Sequence, residues 1–214
     1  MLFPQNPTIF VTTNSQTTYQ DSFIDLDEAS LLFEYFLNEI LWTPDTAKIY
    51  GKTIITKRQI AWFADAGLDY NYSGINRVAD GGWNEKVLVI KQRLEVTTGY
   101  RYNSCLLNFY PTGGEGMAFH SDDQNHLEPN SAVAIISFGA ERFLKFRPNP
   151  KLNSVIKAEM SDSKVLLQKG SLVLMFGETQ KFWQHEIPKM AAIQTPRISL
   201  TFRLMKQKRI TPYT

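Results

Sequence analysis

The stretch AVAIISFGAERFLKFRPNP, residues 132–150, holds two short apolar runs, broken at Phe138-Gly139 and closed by Arg147-Pro148-Asn149-Pro150. Short runs rich in Val, Ile, Leu and Phe with turn residues between them read as β-strands. The same texture continues on both sides. It predicts strands at about Ser104 to Tyr110, Ala132 to Phe138, Arg142 to Arg147, Lys164 to Leu167, Ser171 to Phe176 and Ile198 to Met205, with breaks at Pro111-Thr112-Gly113-Gly114, Lys169-Gly170 and Gly177.

Upstream the period changes. Asp25 with Glu28 has the form of a helix N-cap and its acidic partner, and Leu32, Phe33, Phe36, Leu37, Ile40 and Leu41 repeat at helical spacing, which predicts a helix from about Asp25 to Leu41. A second pattern follows Asn84, with Val87, Ile90 and Leu94 on one face and Gly99 as its stop. Two helices followed by such an array predict a mainly β chain with flanking helices (α+β), a double-stranded β-helix (jelly roll, cupin-like) buttressed by N-terminal helices. We expect residues 1–214 to form a single domain, about 1–100 an N-terminal extension with the helices and a recognition lid, and about 101–205 the jelly-roll core that carries the catalytic residues.

Composition excludes several classes. A hydrophobic fraction of 43% and a charged fraction of 21% over 214 residues are those of a globular chain with a well-buried core. No apolar run approaches a membrane span, and Met1 to Phe10 lacks a basic segment followed by an apolar one, so a cytoplasmic protein, or a nuclear one in a eukaryote, is expected. A net charge of +2 is too small to announce a nucleic-acid binder by itself. The single cysteine, Cys105, lies in an apolar run and reads as a buried structural thiol.

Chemistry enters with His120-Ser121-Asp122 and His185. Two imidazoles and one carboxylate can hold iron(II) on one face and leave the other open to oxygen and a co-substrate. Zinc is the competing metal, since catalytic zinc takes the same donors. Arg197 and Arg203 favour iron with an organic acid. They stand six apart on a predicted strand and so on one face, and inward arginines are costly unless they meet anions. A dicarboxylate meets that need. His126, in the polar loop 123–128, reads as a solvated residue outside the site.

Asp65-Ala66-Gly67-Leu68, Asn108-Phe109-Tyr110, His120-Ser121-Asp122-Asp123, Ser137-Phe138-Gly139-Ala140 and Pro196-Arg197 through Phe202-Arg203 stand in one order along the chain. In these motifs the sequence resembles the AlkB family of Fe(II)/2-oxoglutarate-dependent dioxygenases, in particular its DNA-dealkylating branch. The resemblance implies that His120, Asp122 and His185 are the iron ligands and that Arg197 pairs with the distal carboxylate of 2-oxoglutarate. It gives Asn108 and Tyr110 as co-substrate contacts and sets Arg203 near the metal-bound end, with Thr201 in the same pocket. Ser199 stands where members often carry asparagine; its hydroxyl can still hydrogen-bond a carboxylate. On the substrate side it implies Asp123, a lid with Tyr70 and Tyr72, and Tyr50 as an intercalating aromatic.

The activity so implied is oxidative demethylation of N-alkylated bases, a DNA alkylation repair using iron(II), oxygen and 2-oxoglutarate and releasing formaldehyde, succinate and CO2. The expected partner is alkylated DNA, single- or double-stranded, with RNA as an alternative; the expected protein is a monomer with no membrane association. Lys48, Lys52, Lys57, Arg58, Arg142, Lys145 and Arg147 are candidate phosphate contacts. Two rivals keep the fold: a dioxygenase acting on RNA, a protein side chain or a small metabolite, and a non-catalytic jelly-roll binding module.

Overall fold

The computed structural model of the chain describes residues 8–11, 15–49, 52–72, 75–79 and 81–207. In chain order these form β1 (Thr8–Val11), β2 (Gln16–Gln20), α1 (Leu26–Glu39), β3 (Thr43–Ile49), β4 (Lys52–Ala64), β5 (Asp69–Tyr72), β6 (Ile75–Val78), α2 (Glu85–Thr98) and β7 (Ser104–Tyr110). Then follow β8 (Met117–His120), β9 (Val133–Gly139), β10 (Arg142–Pro148), α3 (Ser154–Ala158), β11 (Ser163–Leu167), β12 (Leu172–Phe176), α4 (Thr179–Phe182), β13 (Trp183–Ile187) and β14 (Arg197–Arg203).

Strands β7 to β14 pair as nested antiparallel partners. β7 lies beside β14, β8 beside β13, β9 beside β12 and β10 beside β11. That nesting is a jelly roll, with β12-β9-β14-β7 in one sheet facing β11-β10-β13-β8 in the other. The larger sheet gains β2 and β1 beyond β12 and β4 and β3 beyond β7. The predicted fold class is the one observed.

The period of two along each strand of the larger sheet separates two interiors. Ile198, Leu200 and Phe202 on β14, with Ala134, Ile136 and Phe138 on β9, face the helices and join Phe36, Val87, Ile90 and Leu94 in one core. Val133 and Ile135 on β9 and Val173 and Met175 on β12 face the smaller sheet, packing with Leu144, Phe146 and Trp183 in a second. Burying each large side chain contributes roughly 1.5–3 kcal/mol. Both faces of β14 are buried, so its strict polar–apolar alternation separates a polar pocket face from an apolar core face rather than solvent from core.

The helices start and stop where capping chemistry dictates. Asp25 accepts from the backbone N–H of Asp27 and Glu28 at 3.1 and 2.9 Å, and Asn84 from Lys86 and Val87 at 3.0 and 3.3 Å. Gly99, at φ 74°, ends α2 in the left-handed conformation that glycine adopts without strain. Arg93 forks onto both oxygens of Glu28 at 2.7 Å and ties α2 to α1. Phe36 meets Phe138 edge to face at 5.5 Å, which seats α1 on β9. Gly139 must be glycine here, since a Cβ would stand 2.5 Å from the Pro196 carbonyl and 2.6 Å from the Phe33 ring.

Six strands, β1 to β6, flank α1 in a region where helices and a lid were expected, and the reason is physical. β3 is an edge strand that carries Pro44 and an irregular register, so it lacks clean alternation. β13 is likewise an unexpected strand, and it carries His185.

Arg142, proposed above as a phosphate contact, is instead wholly buried. It donates to the carbonyls of Thr112, Glu115 and Pro188 at 3.3, 2.7 and 2.6 Å, closing the turn after β7 against the turn after β13. Arg142→Ala would leave three acceptors unpaired, so a loss of about 3–5 kcal/mol is expected in chemical denaturation. Affinity for nucleic acid should not change; a weaker hold on an oligonucleotide with unaltered stability would contradict this reading.

Candidate functional site

The pocket grows from cross-strand neighbours. On β14 the residues Arg197, Ser199, Thr201 and Arg203 point between the sheets, and Ser199 stands opposite Asn108 of β7 and Ser137 of β9. Arg197 stands opposite Tyr110 and Gly139. Polar side chains thus form a floor, walled by Leu106, Ile135, Leu144 and Ile187. The two arginines six apart share this face, as their spacing predicts.

At the open end, β8 and β13 set His120 directly opposite His185, with ring centroids 4.3 Å apart. One ligand atom from each of His120, Asp122 and His185 lies within 4.8 Å of the others. Nδ1 of His120 sits 2.9 Å from the Ala118 carbonyl. A carbonyl only accepts, so Nδ1 carries the hydrogen and Nε2 keeps its lone pair for a metal. The turn with Asp122 is pinned by two further bonds: Ser121 Oγ donates to the Trp183 carbonyl at 2.8 Å, and the Asp122 N–H to Gln180 Oε1 at 2.8 Å.

Arg203 forks onto Asp122, Nη2 to Oδ1 at 2.8 Å and Nε to Oδ2 at 3.2 Å. Each carboxylate oxygen has two lone pairs, so Asp122 can keep this partner and still ligate a metal. Burial by itself would raise the Asp122 carboxyl; the charges of Arg203 and the neighbouring imidazoles outweigh it and hold it at about 2. Burial, reinforced by His120, pushes His185 down to about 3, so it is neutral and ready to ligate at neutral pH.

Arg197 is the anomaly of the pocket. It is 1% exposed; Nη2 donates to Ser137 Oγ at 3.0 Å, while Nε and Nη1 have no hydrogen-bond partner. Burial lowers its guanidinium to about 10, offset in part by Tyr110, whose ring centroid is 5.3 Å away. Two unmet N–H groups on a residue that lines the same pocket as the His/Asp/His cluster fit a carboxylate-bearing organic acid next to a metal.

The shifts on His185 and Asp122 make acid stability testable. His185 titrates near 6.5 when unfolded and near 3 when folded, so the unfolded chain binds the extra proton and stability falls as pH drops through that window. Asp122 acts in the same direction from 3.8 down to about 2. The metal-free protein should lose up to about 1.4 kcal/mol per pH unit below pH 6.5 from His185. Thermal midpoints that stay flat from pH 7 to about 4.5 would refute the neutral buried imidazole.

Of the remaining expected residues, Asp123 follows the site but is half exposed; it accepts from Asn125 N–H at 2.9 Å and lies 3.1 Å from His126 Nδ1. His126 is accordingly in the loop, outside the cluster. Tyr70 and Tyr72 lie two apart on β5, opposite Arg77 and Ile75 of β6, and their side chains fall outside the described set, as do those of Lys48 and Lys52. Tyr50 lies outside the described residues. Lys57 is exposed, whereas Arg58, expected on the surface, is buried in an ion pair with Asp45. Lys145 faces Glu186 at 3.7 Å, and Arg147 donates to Gln184 and lies 4.1 Å over the Phe119 ring. Sequence reasoning gave no role to Ser137, Gln180, Asp45 or Met117. Ser137 carried a signal, a polar residue at the inward position of an apolar strand.

Comparison with known proteins bears on this geometry. The model of the 2OG-Fe(II) oxygenase superfamily matches residues 16–203. The chain is 35% identical over 183 residues to alpha-ketoglutarate-dependent dioxygenase alkB homolog 3 of Bos taurus, covering 85% of this chain but 63% of that protein. It is 31% identical over 222 residues to DNA oxidative demethylase ALKBH2 of Arabidopsis thaliana, covering 94% and 70%. The solved structure of OsALKBH1 superposes with a TM-score of 0.62 at 13% identity over 91% of this chain and 99% of that one, a likeness of fold. No helix among the described residues is long and apolar enough to cross a membrane.

Proposed function

Because the chain belongs to the 2OG-Fe(II) oxygenase superfamily and, within it, to the AlkB family, we propose that it removes alkyl groups from base nitrogens of nucleic acid by oxidation, with DNA as its principal substrate. The observation that carries the reading is Arg197, a buried guanidinium with two unmet N–H groups beside the His120, Asp122 and His185 cluster. The names of the two relatives, a dioxygenase and a DNA oxidative demethylase, support the substrate class. We take residues 1–214 as one catalytic unit, acting as a monomer where the cell keeps its DNA.

Iron(II) with 2-oxoglutarate and oxygen, when bound, supplies oxidation of the alkyl carbon, after which the base is released with formaldehyde, succinate and CO2. The chain's own part is geometry and exclusion. His120 through Nε2, His185 and Asp122 would hold the metal, and Arg203 keeps Asp122 ionised and aimed. Arg197 would pair with the distal carboxylate, and Asn108, Tyr110, Ser199 and Thr201 would hydrogen-bond around the acid. Leu106, Ile135, Leu144 and Ile187 keep water from the pocket.

A methyl on a pairing nitrogen is out of reach in a duplex, so the nucleotide must be flipped or single-stranded. Tyr70, Tyr72 and Asp123, with Tyr50 as wedge, are assigned to the base. Stacking on aromatic groups returns about 1–3 kcal/mol per base against a few kcal/mol for flipping, so lesions that already break pairing are favoured.

The test is mass spectrometry of a methylated single-stranded oligonucleotide after the protein is loaded anaerobically with iron(II) and given 2-oxoglutarate and air. Methyl loss only in the complete mixture is expected. Succinate formed without methyl loss would move the search to RNA, protein or metabolite substrates; neither product would remove the oxygenase reading altogether.

A further inference from the structure

The inner end of β4 departs from regular pairing at one place. Pro44 of β3 pairs with Gln59 and Thr46 with Ile55, so Thr56, Lys57 and Arg58 stand opposite Asp45 alone. Bulges of this kind re-aim side chains, and this one turns two charges inward. Arg58 is 6% exposed and Asp45 1%, and the two form an ion pair. Thr56 Oγ1 donates to the Arg58 carbonyl at 3.1 Å and braces the bulge. A second nitrogen of the Arg58 fork, Nη1, donates to Asn108 Oδ1 at 3.0 Å and touches Met117 Sδ at 3.7 Å.

A stability role accounts poorly for this arrangement. Burying an ion pair at the edge of a sheet costs more than apolar residues of the same size would. The pair is also incomplete, because Asp45 Oδ1 is buried with no hydrogen-bond partner among the described residues. What the pair does accomplish is chemical. Guanidinium can only donate, so the Asn108 side chain must turn its oxygen toward Arg58. Its NH2 group is then turned away from Arg58, on the pocket floor it shares with Tyr110 and Arg197. A free amide rotates between two near-isosteric orientations, one of which would face an incoming carboxylate with oxygen.

We propose that Arg58, braced by Asp45, is a positioning residue for the co-substrate: it fixes the Asn108 amide so that its N–H donors, not its oxygen, meet the carboxylate-bearing 2-oxoglutarate. This rests on the pocket being the 2-oxoglutarate site. Asn108 is the group that touches the acid; Arg58 acts through it. The N-terminal hairpin β3–β4 thereby contributes to a pocket otherwise built by the jelly roll.

The test is equilibrium titration calorimetry of 2-oxoglutarate into the manganese(II)-loaded full chain, in a cycle of wild type, Arg58→Met, Asn108→Ala and the double variant. Arg58→Met is expected to weaken 2-oxoglutarate by about 10-fold, the equivalent of about one charge-assisted hydrogen bond. In the Asn108→Ala background the same change should have no further effect. Arg58→Lys, which keeps a cation against Asp45, serves where the methionine variant does not fold; it should weaken binding by roughly 3-fold or more with the thermal midpoint little changed. In turnover the effect should fall on KM for 2-oxoglutarate and leave kcat and the oligonucleotide KM alone. Wild-type affinity in Arg58→Lys and Arg58→Met, or a loss that persists in full when Asn108 is absent, overturns the proposal. Absence of any 2-oxoglutarate binding by the wild type would instead overturn the reading of the pocket.

Discussion

Arg197→Met is expected to weaken 2-oxoglutarate binding about 100-fold and, in the ligand-free protein, to raise the thermal midpoint by several degrees. The first effect follows from losing two charge-assisted hydrogen bonds to a carboxylate, at about 1.5 kcal/mol or more each. The second follows from the unmet Nε and Nη1 of a guanidinium that is 1% exposed. Replacing a buried, poorly paired ion with an apolar side chain of similar length stabilises by about 1–4 kcal/mol. At this chain length each kcal/mol moves the midpoint by about 2–4 °C. Differential scanning fluorimetry without ligand and calorimetry with 2-oxoglutarate read the two effects separately. A midpoint that falls would mean that Arg197 is structurally satisfied, and an unchanged affinity that the acid is held elsewhere.

His120→Ala and Asp122→Ala should both abolish turnover, by at least about 1,000-fold, yet they should part company in stability. His120 is half exposed and its ring bonds only a local carbonyl, so its removal should leave unfolding unchanged within about 0.5 kcal/mol. Asp122 is the partner of Arg203, whose side chain is 11% exposed. Its loss takes the bidentate carboxylate from a largely buried guanidinium and should cost about 3–5 kcal/mol. Urea unfolding of the metal-free variants distinguishes them. Equal stabilities would show that Arg203 finds another partner when Asp122 goes, and residual turnover in either variant would remove it from the ligand set.

The jelly roll was legible because its strands are punctuated: Gly and Pro mark the ends of β7, β9, β10 and β12 so clearly that the expected boundaries fall within about one residue of the observed ones. The cluster was legible for a different reason. Polar residues at strand positions that must face inward, such as Arg197 and Arg203, have few explanations other than a ligand. Strands β3 and β4 were not legible, since an edge strand needs no hydrophobic alternation and the bulge at Asp45 interrupts what little exists. Arg58 and Arg142 look like surface charges in sequence, because nothing local tells a buried cation from a solvated one. Their partners, Asn108 and Asp45 for one and three backbone carbonyls for the other, are brought by tertiary contacts from 13 to 50 residues away.

β14 is the last strand among the described residues and lies between β7 and β9. During synthesis, therefore, His120, Asp122 and His185 emerge before Arg197 and Arg203. Until β14 inserts, β7 and β9 each present an open edge toward the gap, and the polar floor lacks both of its cations. A nascent or truncated chain ending before Arg197 can gather His120, Asp122 and His185 but lacks both guanidiniums of the proposed acid site. On the function proposed here, the order of the strands works as an interlock: the site is not complete before the wall that contains it is closed.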